Sequence, residues 1–225
     1  MSKTILTLGA GPGIGLATAQ RFAREGYAVV LAARDGKRLE RQAAVLRTAG
    51  ADVQSVALDV SDASAVSALI RDLGDRLDVL HYNAGILRYD AQGALQTHAL
   101  EDLAERDLES DVRINITGAL YAIRAAMPGM KARQRGTMLL TGGGLATHPA
   151  AELLTLSVGK AGLRTIAQAL FQPLKASGVH IAVLDVATLV SPDSAQAHGV
   201  GEAFWQLHAQ REQPVESWSW EARYS

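Results

Sequence analysis

Residues 4–20 read TILTLGAGPGIGLATAQ. An apolar run of strand length, residues 4–9, meets a glycine-rich turn made of Gly9, Ala10, Gly11, Pro12, Gly13, Ile14 and Gly15, and a segment of helical period follows over residues 13–25. Glycines at such a turn let the backbone reverse sharply and approach a pyrophosphate, whose charge is held by the positive helix end and its free N–H groups. The same loop can serve simply as a tight strand-to-helix turn. Its place before a repeating strand and helix pattern favours the dinucleotide reading.

That alternation continues along the chain. Strands are expected at residues 28–33, 53–58, 79–82, 137–141 and 179–186, and helices at 36–49, 62–73, about 98–127 and 153–177. Gly26, Gly50, Gly74 and Gly178 stand where helix C-termini need a left-handed residue. The order predicts an α/β fold, a doubly wound parallel sheet covered by helices on both faces (a Rossmann-like three-layer sandwich), in a single domain over residues 1–225. Within the fourth helical segment, Val112, Ile116, Ala119 and Ile123 form an apolar stripe expected to face inward. After Val190 the pattern changes, and residues 191–225 read as a polar loop followed by an aromatic tail with Phe204, Trp205, Trp218, Trp220 and Tyr224. Such a tail closes over a pocket, packs in a subunit interface, or caps the domain's own sheet.

Composition narrows the classes of partner. A chain of 225 residues with 48% hydrophobic residues is long enough to bury one sizeable core. Its net charge of −1 provides no basic field for nucleic acid or an anionic membrane, so neither is expected as a partner. The basic cluster Lys131, Arg133 and Arg135 reads as the solvated end of a helix. The sequence has no cysteine, which excludes disulfides and thiolate chemistry and is compatible with a reducing cytoplasm. The first apolar run, residues 5–8, is too short for a signal core or membrane span, so a cytoplasmic location is expected.

The second strand ends Ala32, Ala33, Arg34, Asp35. An acid at this place would bond the adenosine ribose of NAD, whereas an arginine suits the extra phosphate of NADP. Arg34 therefore favours NADP(H), with NAD(H) possible, unless Asp35 neutralises it.

These features together resemble the short-chain dehydrogenase/reductase family over residues 1–190. The likeness rests on the loop spacing from Gly9 to Gly13, Ile14 and Gly15, on the run Asn83, Ala84, Gly85, and on Asn115 and Lys160 in matching register. It implies that Asp59 and Val60 meet the adenine, that Asn115 kinks its helix and links to the lysine, and that Lys160 bonds the nicotinamide ribose. It also implies a homodimer or homotetramer paired through the long helices. The family's catalytic set is Asn, Ser, Tyr and Lys. Here Gly143 stands at the Ser position and Leu156, thirteen residues later, at the Tyr position, with Lys160 four further on. Leu8, Tyr82, Val186, Ala187 and Leu189 also depart from the family's usual residues.

Two functions are consistent with this pattern. One is an oxidoreductase transferring hydride between NADP(H) and a small carbonyl, alcohol or activated alkene, with Lys160 and Asn115 in the catalytic role and a displaced proton donor. The candidate donors are Thr141, His148, Tyr82 and Tyr89, and His148 leads on pKa. Loss of a positioned general acid costs about 10²- to 10⁴-fold in rate. The other is a catalytically inactive NADP(H)-binding sensor or assembly subunit that meets a partner through its aromatic tail.

Overall fold

The apolar runs assemble into one seven-stranded sheet in the computed structural model, which describes residues 3–92 and 94–225. The strands are β1 (Thr4–Leu8), β2 (Ala28–Ala33), β3 (Val53–Ala57), β4 (Leu77–Tyr82), β5 (Gly136–Thr141), β6 (Val179–Val186) and β7 (Glu221–Tyr224). Their spatial order is β3-β2-β1-β4-β5-β6-β7, and every neighbouring pair is parallel. The helices are α1 (Ile14–Arg24), α2 (Gly36–Thr48), α3 (Ala63–Leu73), α4 (Glu105–Val112), α5 (Gly118–Ala132), α6 (Leu154–Lys175) and α7 (Ala195–Ala209). None among the described residues is long and apolar enough to cross a membrane.

Side chains alternate along each strand and so feed two apolar layers. Ile5, Leu31, Val79, Leu139 and Leu184 pack with Phe22 of α1, Leu39 of α2 and Phe204 of α7. Leu6, Val30, Leu80, Leu140 and Val183 pack with Ile70 of α3, Ile123 of α5 and Phe171 of α6. Burial on both faces explains why the strands read as continuous hydrophobic runs. The expected three-layer sandwich is therefore observed.

The fourth helical segment differs from the sequence reading. It begins at Glu105, contains one π-helical turn at Arg113–Thr117, and runs on to Ala132. The widened turn inserts one residue, a phase shift of about 100°. Val112 is consequently 41% exposed while Asp111 turns inward at 1%, so the stripe holds only after the π turn, through Ala119 and Ile123. The basic cluster is also not simply solvated. Arg133 donates to the Leu77 carbonyl and Arg135 Nε to Asp78 at 3.2 Å, fastening the end of α5 to the start of β4.

The region after Val190 is the largest correction. In place of a polar loop, α7 starts at Ala195 with Ser194 Oγ capping the Ala197 N–H at 3.1 Å. Ala197, Val200, Gly201, Phe204 and Leu207 form its buried face, and the polar residues between them had masked this period. The chain then adds β7 alongside β6, with Trp218 and Trp220 packed on the apolar layer beneath α6. Phe204 is fully buried, its ring 4.6 Å from that of His81. The aromatic tail thus caps the domain's own sheet.

At the amino end of the sheet a polar cluster is enclosed between α1 and α7. Tyr27 Oη donates to Asp78 at 3.0 Å and lies 2.8 Å from His208 Nε2, and His208 Nδ1 is 2.9 Å from Thr137 Oγ1. Arg211 Nη2 completes the site by donating to Asp78 at 2.6 Å. Burial, followed by the Arg211 charge, pushes His208 down to about 3. His81 is also pushed down to about 3, by burial alone. An unfolded histidine titrates near 6.5, so between these values the unfolded chain binds the extra protons. Stability is expected to be fully present above about pH 6.5 and to fall as pH drops toward 3, which urea midpoints across this range would report. Truncation of Phe204 to Ala is expected to cost about 3–5 kcal/mol in the same unfolding assay, the amount for removing a core aromatic.

Candidate functional site

The strand order reverses between β1 and β4, and there the carboxyl edge opens into a cleft. Its floor depends on close backbone contact. Gly9 has φ +84°, and a Cβ on it would lie 2.4 Å from the Ala84 nitrogen, so only glycine fits. Asn83 Nδ2 donates to the Gly9 carbonyl at 2.8 Å, and Thr141 Oγ1 donates to Asn83 Oδ1 at 2.9 Å. His81 Nε2 stands 3.0 Å from Thr141 Oγ1. Since the threonine proton goes to Asn83, the neutral imidazole donates here from Nε2. Lys160 Nζ donates to the Thr141 carbonyl at 2.7 Å. Side chains from β4, β5 and α6 thus tie the ends of three strands together.

The cleft has a volume of about 620 Å³ and is lined by Gly9, Gly11, Arg34, Arg38, Asp59, Val60, Asn83, Ala84 and Gly85, among others. The structure therefore gathers most of the residues singled out as cofactor ligands. A Cβ on Gly11 would meet nothing within 4 Å, which leaves an open cradle above the turn. Gly13, Ile14 and Gly15 sit to one side. Gly13 faces the Val190 carbonyl, Ile14 packs into the layer around Phe22, and Gly15 is pressed against Ala10 and Gly9. None of the three lines the cleft, and their N–H groups are those at the start of α1, which lack intrahelical partners.

Arg34 is exposed at the cleft wall and makes no ion pair among the described residues. Asp35 does not neutralise it, because its carboxylate caps α2 by accepting the Arg38 N–H at 3.0 Å. Burial pushes the Asp59 carboxyl up, but the Ser61 N–H and the Arg34 charge outweigh it and hold the group below its ordinary value. Two arginines and a set of free amides at a small-residue floor suit a phosphorylated dinucleotide.

Lys160 and Asn115 come together beside the cleft. Asn115 is 3% exposed and occupies the π turn, as the expected kink requires, and its Oδ1 accepts the Ile86 N–H at 2.9 Å. Its Nδ2 has no partner among the described residues. A Cβ on Gly159 would fall 2.5 Å from Asn115 Cβ, so glycine there lets α6 approach the turn and sets Lys160 one residue further on. Burial pushes the Lys160 ammonium down to about 8, against the opposing pull of Asp185.

The structure also sorts the candidate proton donors. Tyr82 is fully buried, its hydroxyl donates to the Ile114 carbonyl at 2.5 Å, and burial pushes its pKa up, so it is a strut of the π turn and not a proton source. Thr141 has its proton committed to Asn83. His148 is exposed and bonded to the neighbouring Thr147 at 3.0 Å. Tyr89 is 58% exposed on the cleft wall. Leu156, expected from the resemblance at the acid position, is 7% exposed and lines a separate small pocket of about 40 Å³ with Leu100, Leu103 and Leu153. Gly143 is extended at φ 171°, and a Cβ there would sit 3.4 Å from Lys160 Cε, an ordinary contact. Nothing steric excludes a serine at that position.

Sequence reading missed one part of the site. Arg88 donates to both oxygens of buried Asp111, at 2.9 and 2.7 Å, and Thr155 Oγ1 donates to the same carboxylate at 2.7 Å. This fork pins the segment after β4 to α4 and α6, beside Leu156. The π-turn phase shift hid Asp111 on what read as a solvent face.

A doubly wound sheet with a dinucleotide-shaped cleft at its switch point is the class this geometry defines. A family model described as short chain dehydrogenase matches residues 3–197, and the chain belongs to that family. It is 32% identical over 205 residues to 3-dehydrosphinganine reductase TSC10A of Arabidopsis thaliana, covering 89% of this chain and 58% of the relative. It is also 32% identical over 188 residues to serine 3-dehydrogenase of Agrobacterium fabrum, covering 82% of this chain and 71% of the relative. The chain thus spans little more than half the length of the plant relative. A short-chain dehydrogenase structure from Rhodopseudomonas palustris superposes with a TM-score of 0.84 at 24% identity, covering 99% of this chain and 98% of that one. A metagenomic short-chain oxidoreductase in complex with NADP gives 0.84 at 22% identity, covering 100% and 98%.

Replacing Tyr82 by Phe would leave the Ile114 carbonyl unpaired in the core. A loss of about 1–3 kcal/mol in unfolding free energy is expected, measured by denaturant titration.

Proposed function

We propose that this chain is an NADP-dependent oxidoreductase that moves hydride between NADP(H) and a small carbonyl, alcohol or activated alkene, with NAD(H) the poorer cofactor. The observation that carries this reading is the switch-point cleft, open above Gly11 and flanked by an unpaired Arg34. In this reading Gly9 and Gly11, whose own amides donate to the Ala32 and Gly9 carbonyls, shape the turn that admits the diphosphate, the amides of Gly13, Ile14 and Gly15 hold it, and Arg34 holds the ribose phosphate. Asp59 and Val60 bracket the adenine. Asn83, Ala84 and Gly85 keep the floor low, and Lys160 bonds the second ribose. The bound cofactor supplies hydride at its nicotinamide ring. Asn115 positions the π turn behind Lys160. The NADP found in the metagenomic neighbour supports the cofactor class.

Exposed Val112, Leu120 and Val158 on the outer faces of α4, α5 and α6 support a homodimer or homotetramer paired through these helices. A cytoplasmic location completes the reading.

The pair Gly143 and Leu156 favours a second function, a nucleotide-binding sensor or assembly subunit without turnover. In that reading a partner would meet the partly exposed Trp205, Trp218, Trp220 and Tyr224, since Phe204 is buried in the core.

Fluorescence titration with NADPH and NADH, followed by a carbonyl screen, tests both. Arg34→Ala is expected to weaken NADPH binding by about 10- to 100-fold, the worth of a charged hydrogen bond, while leaving NADH within a few-fold. Binding of neither cofactor to the unaltered protein would remove both readings.

A further inference from the structure

By resemblance, positions 143 and 156 are those expected to flank a reacting oxygen, and here they are Gly and Leu, which carry no protic group. We propose that Lys160 is itself the proton donor for carbonyl reduction, passing an N–H proton directly to the substrate oxygen. This rests on the oxidoreductase reading above and specifies its acid.

Of the other candidates only Tyr89, 58% exposed on the cleft wall, keeps an uncommitted hydroxyl among the described residues, and full activity of a Tyr89→Phe variant is expected if Lys160 is the donor. Tyr82, Thr141 and Thr155 have their protons committed to Ile114, Asn83 and Asp111. His148 is exposed and turned to Thr147. Lys160 commits one N–H to the Thr141 carbonyl, and an ammonium has three. With glycine at position 143, the nearest atoms to a would-be Cβ are Cε, Cγ and Cδ of Lys160, so no side chain screens the lysine stem from that side. On α6, Leu156 stands one turn before Lys160 and offers only carbon.

Charge around the amine fits this task. From β6, Asp185 raises the ammonium's hold on its proton, and its Oδ1 is buried without a hydrogen-bond partner among the described residues. Arg223 of β7 lies 3.9 Å from the other Asp185 oxygen. From β4, His81 behind Thr141 stays neutral. Arg164, one turn along α6, is paired with Glu221 of β7. The π turn contributes the neutral Asn115. Burial leaves Lys160 near 8, a value at which an ammonium both holds its proton at neutral pH and releases it readily.

The step balances as follows. Hydride from a reduced nicotinamide forms a C–H bond at the carbonyl carbon while the C=O π pair moves to oxygen. That oxygen takes a proton from Nζ, an N–H bond breaks, and the neutral amine is reprotonated from water. The substrate is reduced by two electrons and the nicotinamide oxidised by two.

The test compares the wild type with Lys160→Arg, which keeps the cation and its hydrogen bonds but does not release a proton near neutrality. The first readout needs no cofactor: competitive amine labelling followed by mass spectrometry should give Lys160 a midpoint near 8, well below the ordinary 10.5. At NADPH concentrations that saturate each protein, as set by fluorescence titration, Lys160→Arg should lose about 10²-fold or more in reduction kcat. Wild-type reduction should fall about tenfold per pH unit above the labelling midpoint. An ordinary labelling midpoint, an active Lys160→Arg enzyme, or a wild type that binds NADPH and reduces no carbonyl would each overturn the donor assignment. Absence of NADPH binding to the wild type would instead overturn the cofactor reading beneath it.

Discussion

The contact between Gly9 and Ala84 is the constraint on which the rest of the site depends. At the switch point the ends of β1 and β4 approach until a Cβ on Gly9 would overlap the Ala84 backbone. Asn83 then bonds the Gly9 carbonyl, Thr141 bonds Asn83, and Lys160 bonds Thr141. Because Asn83 and Thr141 are bonded in series and Lys160 donates to the Thr141 backbone carbonyl, the lysine is placed by three strands acting together. A neutral, buried His81 supplies the last donor to this set, and its ring packs on Phe204 of the final helix. The C-terminal helix and the cleft edge of the sheet are therefore parts of one packed unit.

The π turn plays the matching part on the helical side. It brings Asn115 inward, turns Asp111 inward as well, and is held by the Tyr82 hydroxyl from β4. Glycines at 118 and 159 are what permit the approach, since a Cβ on either would collide with Tyr82 or Asn115. Tyr82 is thus explained by its structural role. It replaces an amide at the strand end and ties that strand to the widened turn.

By resemblance, positions 143 and 156 are where the family carries its Ser and Tyr. Gly143 and Leu156 carry no hydroxyl, while the cleft, the π turn and the lysine are assembled beside them. Leu156 also belongs to the wall of a different, apolar pocket beside the Arg88, Asp111 and Thr155 fork. Substituting carbon for oxygen there is compatible with packing, so the departure from the family pattern is accommodated without strain. Its consequence is chemical, and it bears on which group can move a proton.

What the sequence by itself determined is whatever depends on short-range periodicity and on glycine. Strand-length apolar runs between helical segments specified the sandwich, and the loop from Gly9 to Gly15 marked the switch-point edge. Lys160, Asn115 and the cleft residues were singled out by the resemblance to the short-chain dehydrogenase/reductase family, and the structure brings them together at one sheet edge. Only the tertiary structure decided the phase of the helix around Asp111, since one extra residue in a π turn leaves no mark in a periodic pattern. It alone decided that the polar stretch after Val190 is an amphipathic helix, because its buried face exists only against α1 and the sheet. It alone showed that Tyr82 and Thr141 are committed to other partners, and that Asp35 caps a helix and leaves Arg34 free. A side chain's availability is set by neighbours far away in the chain, and no local pattern encodes them.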